Sequence, residues 1–167
     1  MSELRMYPVN PEFDLVLERF IDVKPDLVWA AYTTPELLMQ WFCPRPWSVT
    51  ACTIDLWPGG QFASTFRSPE GDEFPNVGCF LEVVPKQRLV WTDALHPGFR
   101  PASAAITGAD GLLFTAAITL VPEGSGTRYT AHAMHGDAAS QKKHDTMGFY
   151  DGWGTTLDQL AELMKGK

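Results

Sequence analysis

Two polar residues fall where strand alternation aims them at an apolar interior. In 88–94 the alternation places Leu89, Trp91 and Asp93 on one face, and in 127–135 it groups Tyr129, Ala131, Ala133 and His135. A carboxylate and an imidazole among aromatics are costly unless paired, hydrated or used. Within reach of a substrate they would form a general acid/base pair; against a ligand they would orient a polar group. The other reactive side chains carry weaker patterns. His132 and His135 are three apart on a strand and so point to opposite faces, and no metal site is expected. His144 falls on the polar face of the last helix beside Asp151 and Thr155 and reads as solvated, and His96 sits in a loop. Cys43 has no histidine near it in sequence to activate the thiol. No G-x-S-x-G, phosphate loop or dinucleotide fingerprint occurs, and Gly59-Gly60 is a hairpin turn, so no cofactor is expected.

The elements that must position these residues follow from periodicity. Phe149, Trp153, Leu157, Leu160 and Met164 recur at spacings of four, four, three and four, the repeat of one helical face. Asp137 is a fitting N-cap and Lys165-Gly166 a fitting stop, which predicts one helix over 138–164, ~40 Å long at 1.5 Å per residue. Gly148, Gly152 and Gly154 interrupt it, each unfavourable by ~1 kcal/mol against Ala, and read as points of close approach to a strand or loop, with local softness at the mouth of a cavity as the alternative. Residues 12–22 predict a first strand, and Pro25 and Pro35 each start a short helix. Strands follow at 47–56, 61–67, 76–84, 88–94, 112–121 and 127–135, separated by turns such as Pro58-Gly59-Gly60. Residues 95–111 form a long irregular stretch. The inward sets are Phe62, Ser64 and Phe66; Val77, Cys79, Leu81 and Val83; and Phe114, Ala116, Ile118 and Leu120, with Arg128, Thr130 and His132 left to water. Consecutive hairpins imply an antiparallel sheet on which the last helix lies, an α+β class.

Composition narrows the function. At 167 residues the chain reads as a single domain over 1–167, with its core at about 12–165. Acidic residues outnumber basic ones, 20 against 13, which argues against nucleic acid and against anionic membrane surfaces. No run is long and apolar enough to span a bilayer, and residues 1–10 lack a signal-peptide core. Cys43, Cys52 and Cys79 are odd in number and widely spaced, so they read as reduced thiols in a cytoplasmic protein.

Several separated blocks resemble a known family. Val28-Trp29-Ala30-Ala31-Tyr32-Thr33-Thr34-Pro35-Glu36-Leu37 followed by Trp41-Phe42-Cys43-Pro44 resembles the opening of the START-like (SRPBCC) superfamily. Pro58-Gly59-Gly60, Arg88-Leu89, Trp91-Thr92, Gly126-Thr127-Arg128-Tyr129, His135, His144, Gly152-Trp153 and Leu157-Asp158-Gln159-Leu160 continue the pattern. The match runs over about 13–164 and is nearest to the bacterial, polyketide cyclase-like group named for the activator of the 90-kDa heat-shock protein ATPase. The resemblance implies a helix-grip fold: a curved seven-stranded antiparallel sheet around a long C-terminal helix, with two short helices between the first and second strands. It also implies a cavity for a lipid- or polyketide-like molecule.

Three functions remain open at this level. The first is a non-enzymatic protein that binds a small apolar or aromatic ligand between helix and sheet. Its site would comprise Trp41, Phe62, Phe66, Trp91, Phe114, Tyr150 and Trp153, with Asp93 and His135 orienting the ligand. The second is a cyclase or dehydratase using Asp93 and His135 as acid and base. The third is a co-chaperone or other protein-interaction module, which would need an exposed apolar patch. The stretch 95–111 is placed to cover the opening of a cavity, and a homodimer through an exposed sheet edge is left undecided.

Overall fold

The computed structural model describes residues 4–103 and 112–167. Strand β1 (Asp14–Ile21) leads into helices α1 (Pro25–Thr33) and α2 (Pro35–Leu38). Strands β2 (Ser48–Ile54), β3 (Gln61–Arg67), β4 (Glu73–Val84) and β5 (Arg88–Thr92) follow. A short hairpin, β6 (Leu95–His96) and β7 (Arg100–Pro101), precedes β8 (Thr115–Glu123) and β9 (Gly126–Met134), and the described chain closes with α3 (Ala138–Thr146) and α4 (Phe149–Met164). Both early helices start at a proline, whose fixed φ suits the first turn and whose missing N–H is not needed there. The seven long strands form one antiparallel sheet in the order β1-β9-β8-β5-β4-β3-β2, so the expected α+β helix-grip architecture is what the chain adopts. The expected lid lies partly outside the described residues, since 104–111 belong to it.

Register decides which side chains meet α4. Ala116 pairs with Ala133, Ile118 with Ala131 and Leu120 with Tyr129, which puts the small residues of β8 and β9 side by side on the inner face. Leu157, Leu160 and Met164 of α4 join Ile118, Leu120, Tyr129 and Ala131 in the buried core. Strand β4 departs from the alternation read in the sequence. Its pairings place Phe74, Asn76, Gly78 and Phe80 opposite Phe66, Ser64, Phe62 and Trp91. A bulge between Phe80 and Glu82 then resets the parity. Val83 does reach the core, but Val77, Cys79 and Leu81 do not form the inner set; counting back from Val83 fails because the bulge adds one residue.

The outer face of the sheet is not left to water. Residues 5–7 cross it: Arg88, almost fully buried, donates to the Arg5 carbonyl, lies 3.2 Å from Glu82 and stacks 4.6 Å from the Tyr7 ring. His132, expected to be solvated, is buried and sits 2.8 Å from Asp14 on the neighbouring strand.

The expected single helix is two. Asp137 caps α3 by accepting the Ser140 N–H at 2.7 Å, and that bond holds its carboxyl below the usual range. α3 stops at Thr146, because Gly148 adopts φ 97°, a left-handed conformation that breaks the ladder and starts α4 in a new phase. The glycines do not mark close approaches. An added Cβ on Gly148 or Gly152 meets no atom within 4 Å, and on Gly154 only Arg19 at 3.7 Å. Gly148 therefore serves the backbone turn. Gly148→Ala should lower the free energy of unfolding by about 1–2 kcal/mol, whereas Gly152→Ala should raise it by up to ~1 kcal/mol through helix propensity. Urea unfolding followed by circular dichroism measures both.

Candidate functional site

The site is built where α4 stands off from β3–β5. A cavity of about 330 Å³ lies there, within the size range of small-molecule sites. Two layers of aromatic rings form its walls. α1 and the segment after α2 contribute Tyr32, Trp41 and Phe42; the strands contribute Phe62, Phe66 and Trp91. The rings brace one another: Phe62 stands edge-on to Trp91 at 5.1 Å and stacks on Phe80 at 5.0 Å, and Tyr32 stands edge-on to Trp41 at 4.8 Å. Phe149 and Trp153, one helical turn apart on α4, close the opposite side with Phe114. Gly152 lies among them and leaves room where any side chain would project.

One tether holds this wall in place. Gln159 of α4 donates to the carbonyls of Trp41 and Cys43, at 3.0 and 2.9 Å, and accepts the Arg45 N–H at 3.0 Å. A buried amide that makes three bonds to one irregular segment fixes that segment against the helix. A second tether is a trio of polar atoms in the core. Trp153 Nε1 donates to the Tyr129 hydroxyl at 2.7 Å, and the Tyr129 and Tyr32 hydroxyls are 2.6 Å apart. Burial, followed by contact with Tyr129, raises the Tyr32 pKa well above the ordinary phenol value, and burial likewise raises that of Tyr129. Both phenols stay neutral.

Of the residues expected at a site, Trp41, Phe62, Phe66, Trp91, Asp93, Phe114 and Trp153 all line the cavity. Tyr150 does not: it is 44 % exposed, because the new phase of α4 turns it outward while Phe149 turns in. Asp93 and His135 do not form a pair. Asp93 Oδ1 accepts the Phe114 N–H at 2.9 Å. His135 lies behind the wall, with Nδ1 2.7 Å from the Phe13 carbonyl and Nε2 2.8 Å from Nδ1 of His144. A carbonyl only accepts, so His135 carries its hydrogen on Nδ1, and in the neutral pair His144 donates from Nδ1 to His135 Nε2. His144, read in the sequence as solvated, instead lines the cavity, with its ring centroid 4.6 Å from Phe114 and 5.1 Å from Phe149. The error has the same cause as the split helix: the polar face of α4 cannot be extended back through Gly148. Sequence reasoning also missed Asn76, which the β4 bulge hides, and Tyr32, which shared the α1 stripe with Val28 and Ala31 and was therefore legible as an inward residue.

Neither Cys43 nor Cys52 is an activated thiol. Burial pushes the Cys43 thiol up to about 11, and burial together with the Glu36 carboxylate does the same for Cys52. Among the described residues no group of three or more His, Cys, Asp and Glu is placed to hold a metal ion.

The family model described as Activator of Hsp90 ATPase homolog 1-like protein matches residues 22–165. The crystal structure of protein NE0264 from Nitrosomonas europaea is 50% identical, with a TM-score of 0.88, over 94% of this chain and 97% of that one. A Rhodobacter sphaeroides protein shares 19% identity at a TM-score of 0.81, over 96% and 97% of the two chains. An AHSA1-like protein from Aeromonas hydrophila shares 20% at 0.63, over 90% of each. At such identities the last two speak for the fold alone. No curated protein matches the chain.

The thiol environment is directly testable. At neutral pH, Cys43 and Cys52 should react with an aromatic disulfide reagent about 100-fold more slowly in the folded protein than in denaturing guanidinium chloride, following their lower thiolate fraction. Equal rates in the two states would show that the thiols are not held protonated.

Proposed function

The chain belongs to the Activator of Hsp90 ATPase homolog 1-like family, and from that premise we propose that it binds a small apolar or aromatic molecule in the cavity between α4 and the sheet. The observation that carries this reading is the cavity of about 330 Å³ itself, walled by aromatic rings from α1, β3, β5 and α4. Rings that would fill a core are braced around a space instead, and Gly152 keeps α4 from filling it. The polar groups are few and set at the wall: Ser64, Asn76, Asp93, His144 and Thr156. Such a site matches a small organic ligand held mainly by burial of apolar surface. The acid–base reading has less behind it, because Asp93 holds the Phe114 backbone and His135 is screened by His144. A cytoplasmic setting fits the three free cysteines, and among the described residues no helix is long and apolar enough to cross a membrane.

The test fills the space without disturbing the core. N-phenyl-1-naphthylamine, a neutral probe whose emission rises in apolar surroundings, should bind the wild type. Gly152→Leu should weaken that binding at least ~10-fold, the ~1.4 kcal/mol that the loss of room for one ring implies. Thermal unfolding should show that Gly152→Leu remains folded. Unchanged probe binding by a folded Gly152→Leu variant would sink the proposed site.

A further inference from the structure

The two edges of the sheet are finished differently. Along the β1 edge run the charges of Asp14, Glu18 and Arg19. Helices also close over it: Gln141 of α3 donates to the Asp14 carbonyl at 3.3 Å, and Arg19 reaches the Gly154 carbonyl of α4 at 3.2 Å. Charge and cover are how proteins keep an edge strand from pairing. β2, the other edge strand, contains no charged residue and no proline. Asp55 donates to the Gln61 carbonyl at 2.8 Å, so Thr53 and Ala51, in step with it, turn their peptide groups to β3. Cys52 and Ile54 turn theirs outward, and among the described residues no hydrogen bond from elsewhere in the chain reaches those groups. The bulge between Val49 and Ala51 bends the start of the strand and leaves 51–54 in regular register.

Exposed aromatic rings stand at both ends of this edge. Trp47 precedes β2; Trp57 follows it and is 59 % exposed. Phe99, at the tip of the β6–β7 hairpin, is 50 % exposed. The hairpin is fastened to the same end as Trp57. Gly98 donates to the Gly59 carbonyl at 2.8 Å, and the Phe99 ring lies so close over Gly59 that a Cβ there would stand 2.7 Å from it.

We propose that the β2 edge is an interface with a second copy of this chain, the two strands pairing antiparallel about a two-fold axis at Thr53. In this register Cys52 exchanges both backbone bonds with Ile54 of the partner subunit, which uses the outward groups of both strands. Antiparallel pairing also sets the start of one strand beside the end of the other. The Trp47 end of each copy comes alongside the Trp57 and Phe99 end of its partner, so both exposed ends are covered at once. This selects a second copy over a foreign strand: the edge is complementary to itself. Thr53, exposed on the outer face, meets its own counterpart across the axis at a Cα separation of about 4.5 Å. A pairing this short buries less than about 1,200 Å², the range of weak contacts, and should have a dissociation constant of roughly tens of micromolar. The interface lies apart from the cavity reading and does not depend on it.

Sedimentation velocity across roughly 1–500 μM, which brackets that constant, should show the wild type passing from monomer to dimer. Thr53→Lys sets like charges across the axis at an exposed position and should weaken the dimer at least ~10-fold without lowering the melting temperature. In a Cys52→Ser background, Thr53→Cys should cross-link into a disulfide dimer under copper–phenanthroline oxidation. It should do so at least ~10-fold faster than Ala51→Cys, whose two copies lie about 13 Å apart in this register. Hydrogen exchange at the Cys52 and Ile54 amides of the wild type should slow from dilute to concentrated protein, a readout that needs no variant. A wild type that stays monomeric, a dimer that Thr53→Lys leaves intact, equal cross-linking of the two cysteine variants, or unslowed exchange at those amides overturns the assignment.

Discussion

Polar atoms buried where α1, β9 and α4 converge set the geometry of the rest. The Tyr32, Tyr129 and Trp153 side chains come from three elements and meet within 2.7 Å of one another's partner atoms. Apolar contacts tolerate sliding; hydrogen bonds between buried groups do not, because a lost bond leaves a desolvated donor or acceptor. The height of α4 above the sheet at Trp153 is therefore fixed. Beyond that point the helix follows two regimes. Toward its C-terminus, Leu157, Leu160 and Met164 pack into the core with Ile118, Leu120 and Ala131. Toward its N-terminus, Phe149 and Gly152 line the cavity, with Phe149 packed also on Leu15 and Ala133. One helix serves both as core and as wall, and Trp153 marks the division.

The electrostatics of the molecule sort along the sheet. Its inner face carries neutral hydroxyls, an imidazole pair and a carboxylate that accepts a backbone N–H. Its outer face carries the paired polar groups: His132 beside Asp14, and the ion pair of Arg88 with Glu82 beneath Tyr7. Buried charges need partners, and here they find them on the side away from the cavity. The two faces are thereby insulated: the charges that hold residues 5–7 in place do not reach the site.

The order of elements and the apolar stripe of α4 were legible in the sequence because period and turn residues are local signals. The wall aromatics on β3 and β5 were legible for the same reason, as their strands keep strict alternation through Phe62, Phe66 and Trp91. What was hidden depended on single residues that change phase. The bulge after Phe80 hid Asn76, and the left-handed Gly148 hid His144 and turned Tyr150 outward. Neither event leaves a periodic trace. The burial of His132 and Arg88 was hidden for another reason: it depends on a segment distant in sequence lying across the sheet.

The pairing of β1 with β9 orders events in time as well as in space. Asp14 and His132, 118 residues apart, lie side by side. The first strand synthesised waits for the last strand before its inner edge is covered, and the two early helices wait for α4. Long-range pairings of this kind raise contact order and slow the search for the native state. During that wait Leu15, Leu17 and Ile21 present apolar surface with no sheet to meet. The same closure that makes a grip of the finished fold leaves the edge of β1 uncovered until β9 has formed.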